Sequence, residues 1–411
     1  MFIIMRKQHF LQKKLLLLCA FAFVLSTPCL QASLALKAPK RLSLFQPDNP
    51  TPLPNLYLSG YTSINQSSQT VLANYNGDKP LPPASLTKLM TLYIAYDYIK
   101  QGLLQLDEKV TISKKAWKTE GSRMFLEPET HVPVEQLLQG ISVVSGNDAS
   151  VAIAEHIAGS EQKFVKLMNE KVTALKLANT HFANATGLPD KAHYSTPYDM
   201  SLIGINLVND HPEVLEHTKM KTMTYGNITQ NNRNRLLWSD DHVYGLKTGH
   251  TQEAGYCLVA AAKRNGQTII ATAFGARTEK ARDSAVKKLL NHAESQFRNV
   301  SVTHDKNIPK ARTWYGKTAY VTPSLQSTLH LSVPHNDVQK LSMKVSLDES
   351  IQAPLKKGDS IGSYRVYLDG TLIREIPLIS STDVPVCSIL GRLIDWISLK
   401  LTNAYQFFTA R

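Results

Sequence analysis

The sequence predicts an α/β fold, in which an α/β sandwich with an antiparallel sheet precedes a small all-β domain and a terminal amphipathic helix. Strand-like segments come first, give way to a block of helical patterns, and return before a closing helix. Short alternating runs then fill residues 299–384, and apolar residues recur at steps of three and four from residue 385. With 411 residues, of which 43% are hydrophobic and 19% charged, the chain can form packed domains, which excludes wholesale disorder.

The first 35 residues are typical of a secretory signal peptide. Basic residues precede an unbroken apolar run from Leu15 to Leu25, and small residues such as Ala32 and Ala35 follow it. The run is shorter than the roughly 20 residues of a spanning helix, so cleavage is favoured over a retained anchor. We therefore expect an exported protein.

Residues 36–298 form the predicted sandwich domain. After a Pro-rich linker (residues 37–54), alternating segments predict a strand hairpin, which a block of helices and then further strands follow. The predicted strands cover residues 55–64, 70–76, 220–225, 256–264 and 267–274. The predicted helices cover residues 84–99, 134–144, 148–158, 161–175, 196–209 and 279–297.

Residues 299–384 show the short alternating runs that predict a small all-β domain. Alternating runs cover residues 328–333, 341–347, 360–368 and 371–378, and Asp369-Gly370 predicts a hairpin turn between the last two. Gly316-Lys317-Thr318 is not interpreted as a phosphate-binding loop, because Ala311 stands where that motif requires its first glycine.

Residues 385–411 predict a helix with one apolar face. Arg392, Asp395 and Lys400 argue against a membrane-spanning helix, since each would cost roughly 3 kcal/mol at the centre of a bilayer. A helix that lies in the membrane surface leaves these charges in water, and the aromatic end of the chain favours that location. Docking of the helix on its own protein is the alternative.

Charge and cysteine content narrow the possible partners. The chain has a net charge of +13, and removal of residues 1–35 takes away only positive charges, so the mature protein stays basic. A basic protein suits anionic lipid, a polyanionic wall polymer or a carboxylate substrate, although a solvated basic surface explains the charge equally well. Nucleic acid is not expected outside the cytoplasm. Cys257 and Cys387 remain after cleavage, which we interpret as two thiols, and neither C-x-x-C nor H-E-x-x-H occurs, so no metal or other cofactor is expected.

Residues 85–88, Ser-Leu-Thr-Lys, form an S-x-x-K element at the start of an apolar helix. A spacing of three places the hydroxyl of Ser85 and the amine of Lys88 on one helix face. The same spacing occurs at residues 160–163 and 284–287, so the element alone is a weak signal. Its apolar neighbours predict that Lys88 is desolvated, which lowers the pKa of a lysine towards that of a useful base.

Two further motifs occur once each in the chain. Ser145-Gly146-Asn147 lies at a junction between predicted helices, where short polar side chains can point into a cleft. Lys247-Thr248-Gly249 follows a predicted turn at residue 245, and Lys247 can supply the second cation that lowers the pKa of Lys88.

The motif order S-x-x-K, S-G-N and K-T-G resembles that of the serine penicillin-recognising enzymes. Longer strings are similar to the D-alanyl-D-alanine carboxypeptidases of peptidase family S11, the low-molecular-mass penicillin-binding type. These strings are residues 83–90, 145–149, 232–238, 247–256 and 274–278. The resemblance extends from the signal peptide to the tail and implies the serine β-lactamase/transpeptidase-like α/β sandwich.

By that resemblance, the chain removes the terminal D-alanine from peptidoglycan stem pentapeptides. Ser85 attacks the carbonyl between the two terminal D-alanines, neutral Lys88 accepts its proton, and Ser145 relays a proton to the leaving amine. The resemblance further implies that substrate is bound by Asn147, Lys247, Thr248, Gly249, His250, Thr251 and Arg277. Among these, the backbone N–H of His250 completes an oxyanion hole with that of Ser85, and Arg277 contacts the substrate carboxylate, directly or through water.

The resemblance carries expectations beyond chemistry. It implies covalent inhibition by β-lactams, control of wall cross-linking and residence at the periplasmic face of the bacterial inner membrane. Gly187-Leu188 is similar to a family loop beneath the active site. The chain departs from its relatives at Tyr198, which puts a salt bridge there in doubt, and at Ser150, where little consequence is expected. A homodimer is a further expectation.

Three other functions remain open at this stage. A β-lactamase of class A needs an E-x-x-L-N string, which does not occur here, so we expect slow release of penicillin. A D,D-endopeptidase or transpeptidase uses the same motifs, because only the scissile bond or the acceptor changes. A non-catalytic, membrane-tethered scaffold is disfavoured because the motifs are complete.

Overall fold

The computed structural model describes residue 53, residues 55–302 and residues 308–409. The predicted signal peptide and all but residue 53 of the predicted Pro-rich linker lie outside the described residues. The helices are α1 (Lys88–Lys100), α2 (Lys114–Lys118), α3 (Val134–Val143), α4 (Asn147–Ala158), α5 (Glu161–Ala174), α6 (Pro197–Asp210), α7 (Val214–Thr218), α8 (Leu236–Ser239), α9 (Glu279–Gln296) and α10 (Ile389–Thr409). Short 3-10 helices cover Ala84–Thr87 and His335–Lys340.

The strands are numbered β1 to β18 in chain order. In the sandwich domain they are β1 (Gly60–Asn65), β2 (Val71–Tyr75), β3 (Lys109–Thr111), β4 (His131–Pro133), β5 (Thr222–Tyr225), β6 (Ile228–Asn231), β7 (Val243–Thr251), β8 (Gly255–Arg264) and β9 (Gln267–Ala276). In the β domain they are β10 (Phe297–Val302), β11 (Ala311–Trp314), β12 (Tyr320–Val321), β13 (Pro323–Leu325), β14 (Leu329–Pro334), β15 (Leu341–Leu347), β16 (Ile351–Gln352), β17 (Ser360–Leu368) and β18 (Thr371–Ser380).

A five-stranded antiparallel sheet with the order β2-β1-β9-β8-β7 divides the sandwich domain into two layers. On one face, the helical block that includes α1, α4 and α6 buries the larger hydrophobic cluster. On the other face, α9 packs Val286, Leu289 and Leu290 against small residues of β8 such as Ala260. The predicted α/β sandwich is therefore confirmed.

Helix α1 is a core helix rather than an amphipathic one. Each residue from Lys88 to Tyr96 is buried, which is the pattern expected of a helix surrounded by protein on all sides. The 3-10 helix Ala84–Thr87 leads directly into it. The sequence predicts one continuous helix here; the structure starts it with a tighter turn that holds Ser85.

Side-chain caps explain several helix starts. Ser160 accepts a hydrogen bond from the N–H of Lys163 at the start of α5, and Thr278 accepts one from Ala281 at the start of α9. The second S-x-x-K spacing, at residues 160–163, is therefore a capping arrangement.

The β domain matches its predicted alternation closely. β17 pairs with both β15 and β18 in a four-stranded sheet with the order β13-β18-β17-β15. Asp369 and Gly370 both have positive φ, at 49° and 79°, as a tight hairpin turn requires. A second layer, formed by β10 and β14, contributes Leu331 and Val333 to the same core.

The tail helix, α10, exposes large apolar side chains. These are Ile389, Leu390, Leu393, Ile394, Trp396, Ile397 and Leu401. Asp395 differs from the expectation that it lies in water: its carboxylate accepts bonds from Arg312 at 2.9 Å and from the backbone N–H of Tyr315 at 2.7 Å. The polar side of the helix is thus attached to the β domain. None of the helices described has the length and apolarity needed to cross a bilayer.

The strand that carries the third motif was not predicted from the sequence. Lys247-Thr248-Gly249 lies inside β7, not in a loop beside a turn, and β7 is an edge strand of the central sheet. Its polar residues break the apolar alternation that identifies a strand, although Lys247 and Thr248 are buried. In the same region, the first strand begins at Gly60 rather than at residue 55.

Candidate active site

The hydroxyl of Ser85 and the amine of Lys88 are in contact. Ser85 is half-buried in the 3-10 helix, and Nζ of Lys88, at the first position of α1, lies 3.0 Å from its Oγ. The structure therefore brings together the two groups that a spacing of three places on one helix face.

Two carbonyl oxygens hold Lys88 from the other side. Its Nζ donates to Oδ1 of Asn147 at 2.6 Å and to the backbone oxygen of Thr186 at 2.5 Å. Burial, followed by the charge of Lys247, lowers the pKa of Lys88 well below its usual value, and the carboxylate of Asp148 opposes this shift. A neutral amine has two N–H groups and one lone pair. The two carbonyls take both N–H groups, so the lone pair is left to accept the hydroxyl proton of Ser85.

The second motif forms a wall beside this pair. Ser145 is buried at φ 63°, and its hydroxyl is without a hydrogen-bond partner in the described part of the chain. Asn147 is held at two points, because its N–H donates to Ser122 O at 2.7 Å and its Nδ2 donates to Glu120 O at 2.5 Å. A fixed Asn147 can orient Lys88, while the unpaired hydroxyl of Ser145 remains free to bond a substrate.

The third motif lies along β7, whose backbone packs against the 3-10 helix. A Cβ on Gly249 would approach Ser85 N and Leu86 N to 3.2 Å, so glycine permits this close approach. Lys247 is buried, and its Nζ donates to the carbonyl of Thr248 at 3.0 Å. Burial, Arg233 and Arg282 lower the pKa of Lys247 to about 7.

The remaining predicted site residues lie near the end of β7 or beyond the sheet. His250 is exposed and stacks on Tyr256 with ring centroids 4.0 Å apart. The hydroxyl of half-buried Thr251 accepts a bond from Ala254 N at 3.0 Å. Arg277 is exposed immediately after β9 and makes no hydrogen bond or ion pair with the residues described. Thr248 is buried beside Lys247.

Sequence reasoning missed two arginines that influence the site. Arg282 is only 2% exposed, and its charge contributes to the lowered pKa of Lys247, as does that of Arg233. Arg282 also donates to the backbone oxygen of Arg233 at 3.3 Å, which places the two residues together. A signal existed in the sequence: Arg282 continues the apolar stripe of α9 through Ala285, Leu289 and Ala293, where a charge is unexpected.

Asp148 is a further positioning group. Its carboxylate is 1% exposed and accepts bonds from the backbone N–H groups of Met124, Phe125 and Leu126 at 3.0 to 3.1 Å. This segment continues from the residues whose carbonyls bind Asn147. Asp148 therefore fixes the wall of the cleft and places near Lys88 a negative charge that raises its pKa.

The predicted loop at Gly187 lies directly against the backbone of Ala84 and Ser85. At its φ of 86°, a Cβ would come within 1.9 Å of the carbonyl oxygen of Ala84, so only glycine fits. Thr186, its neighbour, supplies the carbonyl that binds Lys88. The described residues contain no grouping of His, Cys, Asp and Glu suited to a metal ion.

Comparisons with known proteins agree with this geometry. A family model described as D-alanyl-D-alanine carboxypeptidase (peptidase S11) matches residues 53–278, and one described as the C-terminal domain of penicillin-binding protein 5 matches residues 297–386. The chain is 38% identical to the D-alanyl-D-alanine carboxypeptidase DacA of Escherichia coli over 84% of its own length and 88% of the relative's.

Two solved structures extend the comparison. Penicillin-binding protein 5 from Haemophilus influenzae is 37% identical, with a TM-score of 0.78 over 82% of this chain and 100% of that one. Penicillin-binding protein D2 from Listeria monocytogenes, solved in its ampicillin-bound form, is 32% identical, with a TM-score of 0.54 over 58% of this chain and 98% of that one.

Proposed function

This chain belongs to the D-alanyl-D-alanine carboxypeptidase family of the S11 peptidases, and we propose that Ser85 is its nucleophile and Lys88 its general base. It is a serine D-alanyl-D-alanine carboxypeptidase that acts on peptidoglycan and binds penicillin. The observation that supports these roles is the contact between a buried, low-pKa Lys88 and the hydroxyl of Ser85.

Acylation begins when Lys88 takes the proton of Ser85 and Oγ attacks the carbonyl carbon between the two terminal D-alanines. The backbone N–H groups of Ser85 and His250 stabilise the negative charge that develops on the carbonyl oxygen. Asn147 keeps Lys88 in place, since Nζ of Lys88 lies 2.6 Å from Oδ1 of Asn147 and 3.0 Å from Oγ of Ser85.

Departure of D-alanine needs a proton on its nitrogen. Ser145, whose buried hydroxyl has no partner among the described residues, relays that proton from Lys88 as the C–N bond breaks. Water then attacks the ester, Lys88 accepts a proton from it, and Ser85 is regenerated with the shortened peptide as product.

Cations on the β7 side receive the terminal carboxylate of the substrate. Lys247 is buried without a carboxylate among the causes of its lowered pKa, and Thr248 adds a hydroxyl donor. Gly249, Thr251 and the backbone of His250 line the same strand. Exposed Arg277, immediately after β9, contacts this carboxylate directly or through water, whereas Arg282 is buried in an ion pair with Asp283 and acts only through its charge near Lys247.

The chain functions in the bacterial envelope. Within the envelope, we propose that the segment 1–35 directs export and that α10 attaches the protein to the periplasmic face of the inner membrane. The exposed apolar side chains of α10 support this proposal. A homodimer stays a prediction, which light scattering of the full chain in detergent checks.

The decisive experiment measures D-alanine released from a stem pentapeptide and maps the residue that fluorescent penicillin modifies. Ser85→Ala should abolish both signals. Ser284→Ala is the matched control, because exposed Ser284 has the same spacing to Lys287 without the site around it. D-alanine release by Ser85→Ala, or label on another residue, would refute the assignment, and fast turnover of penicillin would favour a β-lactamase.

A further inference from the structure

Two side chains of α1 attach this helix to the segment 183–187. Lys88 Nζ donates to the carbonyl of Thr186 at 2.5 Å, and Thr91 Oγ1 donates to that of Ala185 at 2.7 Å. Both side chains are fully buried, where a hydrogen bond is stronger than it is in water. The position of the Lys88 amine therefore depends on where this segment lies.

His193 supplies a third attachment from outside the helix. It is 5% exposed, its Nδ1 accepts from the backbone N–H of Ala183 at 3.1 Å, and its Nε2 lies 2.7 Å from Oγ1 of Thr87. Because Nδ1 is an acceptor, the ring is neutral and carries its proton on Nε2, which donates to Thr87. One side chain thus bonds both the segment and the residue that precedes Lys88 in the chain.

The segment is stiff enough to transmit this attachment. Asn184 Oδ1 accepts from the backbone N–H groups of Thr186 and Gly187 at 3.1 and 2.7 Å, and from Oγ1 of Thr186 at 2.9 Å. Ala183 is the chain neighbour of Asn184. Since these bonds hold the segment together, a displacement at Ala183 also moves the carbonyl of Thr186.

We propose that His193 is a positioning residue for the reaction, which holds the amine of Lys88 against the hydroxyl of Ser85 by joining Thr87 to the segment 183–187. The proposal rests on the proposed function, since it concerns the base of that mechanism. In the attached arrangement, Nζ of Lys88 lies 3.0 Å from Oγ of Ser85. A misplacement of about 1 Å can slow such a reaction by orders of magnitude, so loss of the attachment should slow acylation itself rather than weaken binding.

The test measures two quantities for penicillin acylation of the full chain, the rate constant at saturating penicillin and the penicillin concentration that gives half of it. His193→Leu removes both bonds and should lower the rate constant about tenfold, while the half-saturating concentration changes by less than about twofold. His193→Gln, whose amide offers a donor and an acceptor, should restore most of the rate at neutral pH. Rates are measured well below the melting temperature of each variant, and the amount of labelled protein counts its folded sites.

Thr87→Val tests the route by which His193 acts. This substitution removes the hydroxyl that accepts from Nε2 and should also slow acylation at saturating penicillin. The double variant Thr87→Val/His193→Leu should be no slower than His193→Leu alone, because both changes break the same connection. Rate losses that multiply in the double variant would contradict an action through Thr87. If His193→Leu does not fold, Thr87→Val is compared with the unmodified chain in its place, and an unchanged rate would overturn the proposal.

His217→Leu is the matched control. His217 is also buried, at 7% exposure, and its Nδ1 lies 2.7 Å from the hydroxyl of Tyr96, which is farther along α1 from Ser85. This variant should have a lower melting temperature and a nearly unchanged acylation rate constant.

Three results would overturn the positioning role: an unchanged rate constant in His193→Leu, equal losses in His193→Leu and His217→Leu, or no recovery in His193→Gln. Each of these leaves the carboxypeptidase intact. Absence of both D-alanine release and penicillin labelling in the unmodified chain would instead overturn the proposed function.

Discussion

The charge on Lys88 is set by residues that surround it in space, and most of them are distant in sequence. Lys247 and Arg233 lower its pKa in addition to burial, and Asp148 raises it. In the proposed mechanism Lys88 acts as a neutral base, so acylation should rise with pH as this amine loses its proton.

Lys247→Gln tests this coupling. The substitution removes a positive charge, so the pKa of Lys88 rises and the acid limb of the penicillin acylation rate moves to higher pH. The measurement is the second-order acylation rate between about pH 4 and 8. Lys344→Gln, on the β domain, is the control and should leave the acid limb of the rate profile in place. An acid limb that stays in place or moves to lower pH in Lys247→Gln would contradict the coupling.

His193 is a buried neutral histidine beneath the nucleophile segment. Its Nδ1 accepts from Ala183 N at 3.1 Å, so Nε2 carries the proton and donates to Thr87 Oγ1 at 2.7 Å. Burial lowers its pKa from 6.5 to about 4. Protonation therefore favours the unfolded state, and the stabilisation is complete above pH 6.5 and is lost as pH falls towards 4.

His193→Gln should flatten this dependence. In the unmodified chain, protonation of His193 lowers the free energy of unfolding by about 3 kcal/mol as the pH falls from 6.5 to about 4. Denaturant unfolding at several pH values should show a smaller fall in the variant, whatever its stability at neutral pH. An equal fall in both proteins would mean that His193 titrates normally.

Among the elements, the loop at residues 184–188 depends on one glycine. Gly187→Ala places a methyl group against the carbonyl of Ala84, so the loop must move away from the 3-10 helix. Because Thr186 O would move with it, Lys88 loses an anchor, and we expect penicillin acylation to slow by at least about tenfold. Gly102→Ala is the matched control, since Gly102 also has positive φ, at 71°, with open space around its Cβ position. Equal acylation rates in the two variants would contradict the prediction.

The elements also show what a sequence can reveal. The longer helices and four strands of the β domain were predictable because they carry strong periodicity: residues 341–347 and 360–368, for example, were predicted as strands and form them. Two-residue strands such as β12 and β16 are too short to show a period. β7 was not predicted, because polar residues such as Lys247 and Thr248 replace the apolar pattern. The motifs predicted Ser85, Lys88 and Asn147 as neighbours, and these side chains are in contact. The bond to Lys88 from Thr186 was not predictable, because it comes from a backbone oxygen, which no side-chain motif can encode.

For the whole molecule, the stability of the β domain after removal of the tail helix depends on where the chain is cut. Residues 385–387 still belong to that domain, because Lys317 N donates to Pro385 O and Cys387 N donates to Tyr315 O, both at 2.8 Å. A cut before Pro385, which the sequence favours, removes these bonds; a cut after Ser388 keeps them.

We expect a chain that ends at Ser388 to acylate with penicillin at the full rate and to lose its binding to vesicles that contain anionic lipid. A chain that ends at Val384 should show a lower melting temperature for the β domain. Sedimentation with vesicles and calorimetry measure the two effects. Retained vesicle binding after removal of α10 would show that another surface carries the attachment.

The central sheet joins the start of the sandwich domain to its end, since Gly60 of β1 pairs with Phe274 of β9. During synthesis the first two strands therefore emerge long before their neighbour exists. The nascent chain cannot close its sheet until almost the entire domain has been made. For the proposed export, this delay would keep the chain unfolded enough to be translocated, while its unpaired strand edges stay open to chaperones.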